Sequence, residues 1–271
     1  MKYSKIGVFD SGMGGLTVLK ELLERIKGLD MVYFGDTARL PYGTKSPGVI
    51  RQYTLECSRF LVDKGIDMLV LACNTASAHA ISVAREELGI PVMGVIDAGV
   101  RAAVSTGASR IGVIGTPATI RSNAYAEAIK ALRPDVDIVS KACPLFVPLV
   151  EEGMLDDEVT EMVARRYLKD LISQGIETLL LGCTHYPLLK NVIQKVMGSG
   201  VNIVDSAATT ARAVTRMVKG EYECKDSSDV VYYFTDLTQS YLKLGELVLG
   251  RPMENVEKVD LDGRLGGGSN G

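Results

Sequence analysis

Residues 65–75, GIDMLVLACNT, and residues 175–185, GIETLLLGCTH, share five of eleven positions, including Cys73 and Cys183, at an offset of 183 − 73 = 110. Each contains an apolar run of about 4 to 8 residues, the pattern of a parallel strand buried on both faces. Each run ends in a thiol followed by polar side chains: Asn74 and Thr75 after the first, Thr184 and His185 after the second. Open α/β sheets place their ligands beyond the C-terminal ends of strands. A cysteine repeated at that end implies one pocket with two thiols, one from each half of the molecule.

Two further pairs recur in the same order. IGVFDSG at 6–12 resembles IGVIGTP at 111–117 with an offset of 105, and GVIDAG at 94–99 resembles NIVDSA at 202–207 with an offset of 108. Buried strands draw on few residue types, so either pair alone would mean little. Three ordered pairs at nearly one spacing indicate a duplication. Between these landmarks strand and helix patterns alternate. Helices are expected over about 16–26, 47–64, 76–88, 118–132, 157–173, 187–197 and 207–218, and a last one reaches about 249. Strand-like VVYYFTD (230–236) and ENVEKVDL follow the second half. That remainder is too small for a third domain and is expected to pack back onto one of the halves. Such alternation predicts an α/β fold of two similar, pseudo-symmetric domains, each a mainly parallel sheet flanked by helices.

Composition narrows the function classes. Of 271 residues 46% are hydrophobic and 23% charged, with a net charge of −3, as in an ordinary enzyme with a full core. Basic residues are scattered among acidic ones, so nothing suggests nucleic acid. The start MKYSKIGVFDS has no long apolar region, and no apolar stretch reaches about 18 residues, so neither secretion nor a membrane is expected and the cytoplasm is the default. Five cysteines with no CxxC pair and no clustered histidine argue against a disulfide framework or a metal site. Cys57, Cys143 and Cys224 read as ordinary buried thiols.

The glycine-rich turn DSGMGG (10–15) follows a strand and opens a helix, which would let backbone approach a ligand and offer N–H groups to an anion. It lacks dinucleotide spacing and a phosphate-loop lysine, so a small carboxylate fits better than a nucleotide. Asp10 would repel that anion but could pair with an ammonium group or accept a proton; a helix N-cap is its plain alternative. The loop GDTARLPYGTKSP (35–47) could carry Tyr42 over a pocket, or simply connect. Glu151 and Glu152 read, by themselves, as solvated surface. His79 reads as structural or surface, whereas His185, two residues beyond Cys183, can hold a thiolate or deliver a proton. Asp10 is thus the proton partner expected for Cys73 and His185 for Cys183. Two thiols with different partners suit a reaction that takes a proton from one face of a carbon and returns one to the other.

At ACNTA (72–76), GCTHYP (182–187), DSGMGG (10–15) and PYGTKS (41–46) the chain resembles the glutamate racemases, cofactor-independent members of the aspartate/glutamate racemase superfamily. The resemblance implies two facing α/β domains with the active site in the cleft between them and the C-terminal segment returning to the first. Residues 1–97 with 207–262 would form the first domain, 98–206 the second, and 263–271 a flexible tail. It implies Cys73 and Cys183 as the catalytic acid/base pair, Asp10 and His185 as their helpers, and Glu151, rather than Glu152, as a further carboxylate. Ser11, Tyr42, Gly43, Asn74, Thr75 and Thr184, with Asp10 and His185, would hold the amino acid. No cofactor, metal, nucleic acid or membrane is implied; the partner is glutamate, and the D-enantiomer would feed peptidoglycan synthesis. An aspartate racemase is the nearest rival, with a two-lobed amino-acid binding module and a redox dithiol behind it. The sequence leaves the assembly open, a homodimer included.

Overall fold

The computed structural model describes residues 3–222 and 228–261; Cys224 and the 263–271 tail lie outside them. In the first half, β1 (Lys5–Asp10), α1 (Leu16–Arg25), β2 (Asp30–Gly35), α2 (Pro47–Asp63), β3 (Met68–Leu71), α3 (Asn74–Glu87), β4 (Val92–Gly94) and α4 (Val95–Ser105) follow one another. The second half runs through β5 (Arg110–Gly115), α5 (Pro117–Arg121), α6 (Ala124–Leu132), β6 (Asp137–Ala142), α7 (Phe146–Glu151), α8 (Glu158–Ser173), β7 (Thr178–Gly182), α9 (Lys190–Met197) and β8 (Asn202–Asp205). Then come α10 (Ser206–Val218), β9 (Val230–Phe234), α11 (Gln239–Leu249) and β10 (Val256–Lys258).

Every strand pair is parallel, in a sheet ordered β10-β9-β2-β1-β3-β4 and another ordered β6-β5-β7-β8. The order β2-β1-β3-β4 repeats as β6-β5-β7-β8, and the C-terminal strands extend the first sheet beside β2. The two domains are therefore similar in topology as well as in sequence. β3 and β7, the duplicated cysteine strands, are buried along their whole length, which is why their sequences are continuously apolar.

Strand register tests the repeat. Phe9 pairs with Leu71 and Ile114 with Leu181, giving offsets of 114 − 9 = 105 and 181 − 71 = 110, as the first two landmarks require. The third landmark is out of register. Leu71 pairs with Gly94 and Leu181 with Asp205, so the true offset is 205 − 94 = 111, not 108. β8 continues through its VD, whereas Val95 to Asp97 already form the first turn of α4. Short apolar runs carry no periodicity that separates strand from helix, and similarity of letters misled there.

Other expectations change in detail. The helix expected over 118–132 is two helices, α5 and α6, broken where Asn123 adopts a left-handed backbone (φ 59°) that asparagine tolerates better than most residues. The helix expected from 187 is preceded by a tight turn, Tyr186–Leu189, that contains Pro187. Helices α4 and α7 were not expected at all: α4 begins in an apolar run that reads as strand, and α7 carries Pro148.

Buried Leu16, Leu19 and Leu22 put one face of α1 on the first sheet. α10 packs against both α1 and α4. One hydrophobic cluster consequently runs from Val8 and Val70 of the first sheet through Ala211 and Val214 of α10 to Leu179 and Leu181 of the second. The C-terminal ends of β1, β3, β5 and β7 are thereby held around a common cleft.

Candidate active site

Cys73 and Cys183, each 5% exposed, open onto one cavity of about 350 Å³. Ser11, Tyr42, Gly43, Asn74, Thr75, Glu151, Thr184 and His185 line it with them. Asp10 alone of the expected residues does not reach the cavity wall. Its carboxylate lies behind, fully buried, where Oδ2 accepts from the Gly12 N–H (2.9 Å) and Oδ1 from Thr184 Oγ1 (3.2 Å). Thr116, Pro117, Val147, Pro148 and Tyr241 also line the cavity and were not anticipated. Thr116 had a signal: the 105-residue offset maps Ser11 onto it.

Cys73 sits at the N-cap of α3. Its sulfur accepts from the Ala76 N–H (3.4 Å), and its thiol donates to Ser11 Oγ (3.5 Å). Burial first, and then the negative charge of Asp10, push its pKa up to about 12 despite those two hydrogen bonds, so the resting group is a thiol at neutral pH. Cys183 has different company. His185 Nδ1 lies 3.9 Å from its sulfur. Burial disfavours charge on that ring, but Cys183 and Glu151 outweigh it and hold the histidine pKa up at about 10. An imidazolium therefore stands beside the second thiol. On its far side, His185 Nε2 is 3.3 Å from Glu151 Oε1, an ion-pair distance without hydrogen-bond alignment, and neither atom has a hydrogen-bond partner among the described residues. Glu152, by contrast, is exposed beyond the end of α7.

The glycine turn does a different job from the one expected of it. Of DSGMGG only Ser11 lines the cavity. A Cβ on Gly14 would fall 2.4 Å from His185 Nδ1 and from Thr184 Oγ1, and one on Gly15 would fall 2.4 Å from Asp10 Cβ. Gly14 lets the first domain close on the Cys183 loop, Gly15 lets the turn pack on Asp10, and the carboxylate that receives a turn N–H is that of Asp10. Burial raises the Asp10 pKa, opposed mainly by the charge of His185.

Tyr42 reaches the cavity as a wall. Its hydroxyl is turned away to Asp36 Oδ2 (2.5 Å), and Asp36, fully buried, also accepts from Arg39 Nε (2.7 Å) and Thr235 Oγ1 (2.9 Å). A Cβ on Gly43 would meet Thr116 at 2.7 Å, so this loop too closes directly on the second domain. Thr75 Oγ1 lies 3.0 Å from Thr116 Oγ1 and 3.1 Å from Thr119 Oγ1, which places three hydroxyls from both domains in one group. His79 is structural, with Nε2 3.2 Å from the Ala118 carbonyl. Cys57 and Cys143 are buried away from the cavity wall.

The site thus offers two buried thiols in unlike electrostatic settings, with hydroxyl and amide groups in the same cavity wall. Among the described residues no group of three histidine, cysteine or acidic side chains could hold a metal ion, and no helix is long and apolar enough to cross a membrane. The profile of the Asp/Glu/hydantoin racemase family matches residues 6–214. The chain is 50% identical over 266 residues to the glutamate racemase of Geobacter metallireducens, covering 97% of this chain and 98% of that one. A glutamate racemase from Francisella tularensis, solved with D-glutamate, superposes with a TM-score of 0.91 at 37% identity, covering 97% of this chain and 100% of that one. A glutamate racemase isoform from Bacillus anthracis gives 0.92 at 38% identity, covering 96% and 99%. Both cysteine strands fall inside the matched stretch, and the chain belongs to the Asp/Glu/hydantoin racemase family.

Proposed function

We propose that the protein interconverts L- and D-glutamate without a cofactor, using Cys73 and Cys183 as opposed acid and base, and so supplies D-glutamate for peptidoglycan synthesis in the cytoplasm. The observation that carries this reading is the pair of buried thiols at duplicated strand ends in one small cavity. Sequence identity of 50% along 97% of the chain to a protein named glutamate racemase, and the close superposition on one solved with D-glutamate, support glutamate as the substrate.

The difficulty of the reaction is that a thiolate must remove hydrogen from a far weaker carbon acid. Burial helps, because a sulfur whose pKa is pushed up to about 12 is a strong base once ionised. The imidazolium of His185, with Nδ1 3.9 Å from the sulfur, can hold negative charge that develops on Cys183, while Cys73, its pKa raised, stands opposite as the proton donor. One sulfur removes the α-hydrogen and the other protonates the opposite face of the carbanion. That single stroke leaves the proton inventory reversed, ready for the other enantiomer; His185, 3.9 Å from Cys183, and Asp10, buried behind the cavity wall, are the groups that would reset it. Charge growing on the α-carboxylate is met by preorganised donors from Asn74, Thr75 and Thr184 in a closed cleft.

We take residues 1–97 with 207–262 as one domain and 98–206 as the other, following the strand membership of the two sheets. A homodimer is the assembly to look for, by sedimentation. Incubation with pure L-glutamate should abolish its optical signal through formation of an equimolar mixture. Binding without loss of chirality would leave a binding module, and faster turnover of L-aspartate would name the other branch of the family.

A further inference from the structure

Tyr125, on α6 of the second domain, is 2% exposed, and its hydroxyl crosses the cleft to donate to Asn74 Oδ1 at 2.5 Å. Its ring is fixed against two glycines: a Cβ on Gly182 would come within 3.0 Å of Cε2, and one on Gly99 within 3.7 Å of Cε1. Asn74 stands in the first turn of α3 between Cys73 and Thr75, lines the cavity, and is 2% exposed. Its Nδ2 is buried with no hydrogen-bond partner among the described residues. A buried amide donor without a partner is costly unless something else completes it.

The two ends of an asparagine amide are almost the same size, so which end faces a ligand is decided by what holds the other. We propose that Tyr125 is a positioning residue for the substrate: by occupying Asn74 Oδ1 it turns Nδ2 toward the cavity as a donor to a carboxylate of the amino acid. Burial first, and then the charges of Cys183 and Asp97, keep the Tyr125 hydroxyl protonated and so able to donate to the amide oxygen. With the amide reversed, Oδ1 would face an anion and the Tyr125 proton would lose its acceptor. The donor belongs to one domain and its orienting group to the other, so the donor is set only when the two domains are together. This rests on the reading of Asn74 as a substrate-holding residue.

The test is a double-mutant cycle of Tyr125→Phe and Asn74→Ala, with KM and kcat measured in both directions and thermal unfolding followed in parallel. Loss of one such hydrogen bond should raise KM about tenfold in Tyr125→Phe, with a smaller change in kcat. Asn74→Ala should raise KM at least as much, and adding Tyr125→Phe to it should change KM less than about twofold, because coupled residues are non-additive. Additive effects, or an unchanged KM in Tyr125→Phe, would overturn the proposal while leaving Asn74 as a substrate contact. An unchanged KM in Asn74→Ala would overturn both. Asn74→Asp covers the case in which Tyr125→Phe does not fold. It keeps the acceptor for Tyr125 and exchanges the Nδ2 donor for a negatively charged oxygen, so KM should rise by more than about tenfold; an unchanged KM would again overturn the proposal.

Discussion

Cys73 and Cys183 occupy equivalent places in a repeat, yet their neighbours make them unequal. The Cys73 thiol, held by the Ser11 hydroxyl and the Ala76 N–H and raised in pKa by burial and by the charge of Asp10, shares its cavity with a sulfur that has an imidazolium beside it. Serine at either position should reduce racemisation by at least about a thousandfold in kcat, since a hydroxyl is far less acidic and each direction needs both groups. Polarimetry on both enantiomers checks this, and near-normal turnover by Cys183→Ser would make that thiol structural. His185 gives a pH dependence with a definite sign. Its folded pKa of about 10 lies above the ordinary 6.5, so its contribution to stability is complete below about pH 6.5 and is lost as pH rises through 10. Urea unfolding from about pH 6 to pH 10 should therefore show a steeper decline for the wild type than for His185→Asn; parallel curves would mean the ring is not charged in the folded state.

Elements place these groups, and glycine decides how closely the elements meet. Gly14→Ala should keep the fold but displace His185 and Thr184, and a displacement near an ångström can cost about a hundredfold in kcat/KM. Activity above about a third of wild type would show that the loop yields. At the α5–α6 break, Asn123→Ala should cost about 1 kcal/mol in urea unfolding because alanine resists the left-handed backbone; no loss would mean the break can shift. The same elements mark what could be read beforehand. β1, β3, β5 and β7 were legible because doubly buried strands write continuous apolar runs, and the cysteine ends were legible because the runs are repeated. Thr116 was recoverable from Ser11 through the offset. Tyr125, Tyr241 and the Asp36–Tyr42 pairing were not, because each meets its partner only through tertiary packing, with no local pattern to announce it. The glycine turn was found but misassigned, since small residues look alike whether ligand or protein fills the space beside them.

The described residues form two domains that touch through Asp10 and Thr184 and through Thr75 and Thr116 near their strand ends, and through Asn74 and Tyr125 of α6. A ligand that fits between them should bind only the folded, closed form. D-Glutamate at about a hundred times its Kd should add about 2.7 kcal/mol to unfolding free energy, read as a rise in Tm. Aspartate, one methylene shorter, would leave donors unpaired and should be turned over about a hundredfold less efficiently in kcat/KM. The opposed thiols themselves are tested most directly by racemisation of L-glutamate in deuterium oxide, stopped at low conversion. If one sulfur removes the hydrogen and a different, solvent-exchanged thiol delivers its replacement, the D-glutamate formed carries deuterium at the α-carbon while the remaining L-glutamate keeps its hydrogen. Return of the original hydrogen to the product, or exchange into unreacted L-glutamate as fast as racemisation, would contradict two acid/bases acting from opposite faces.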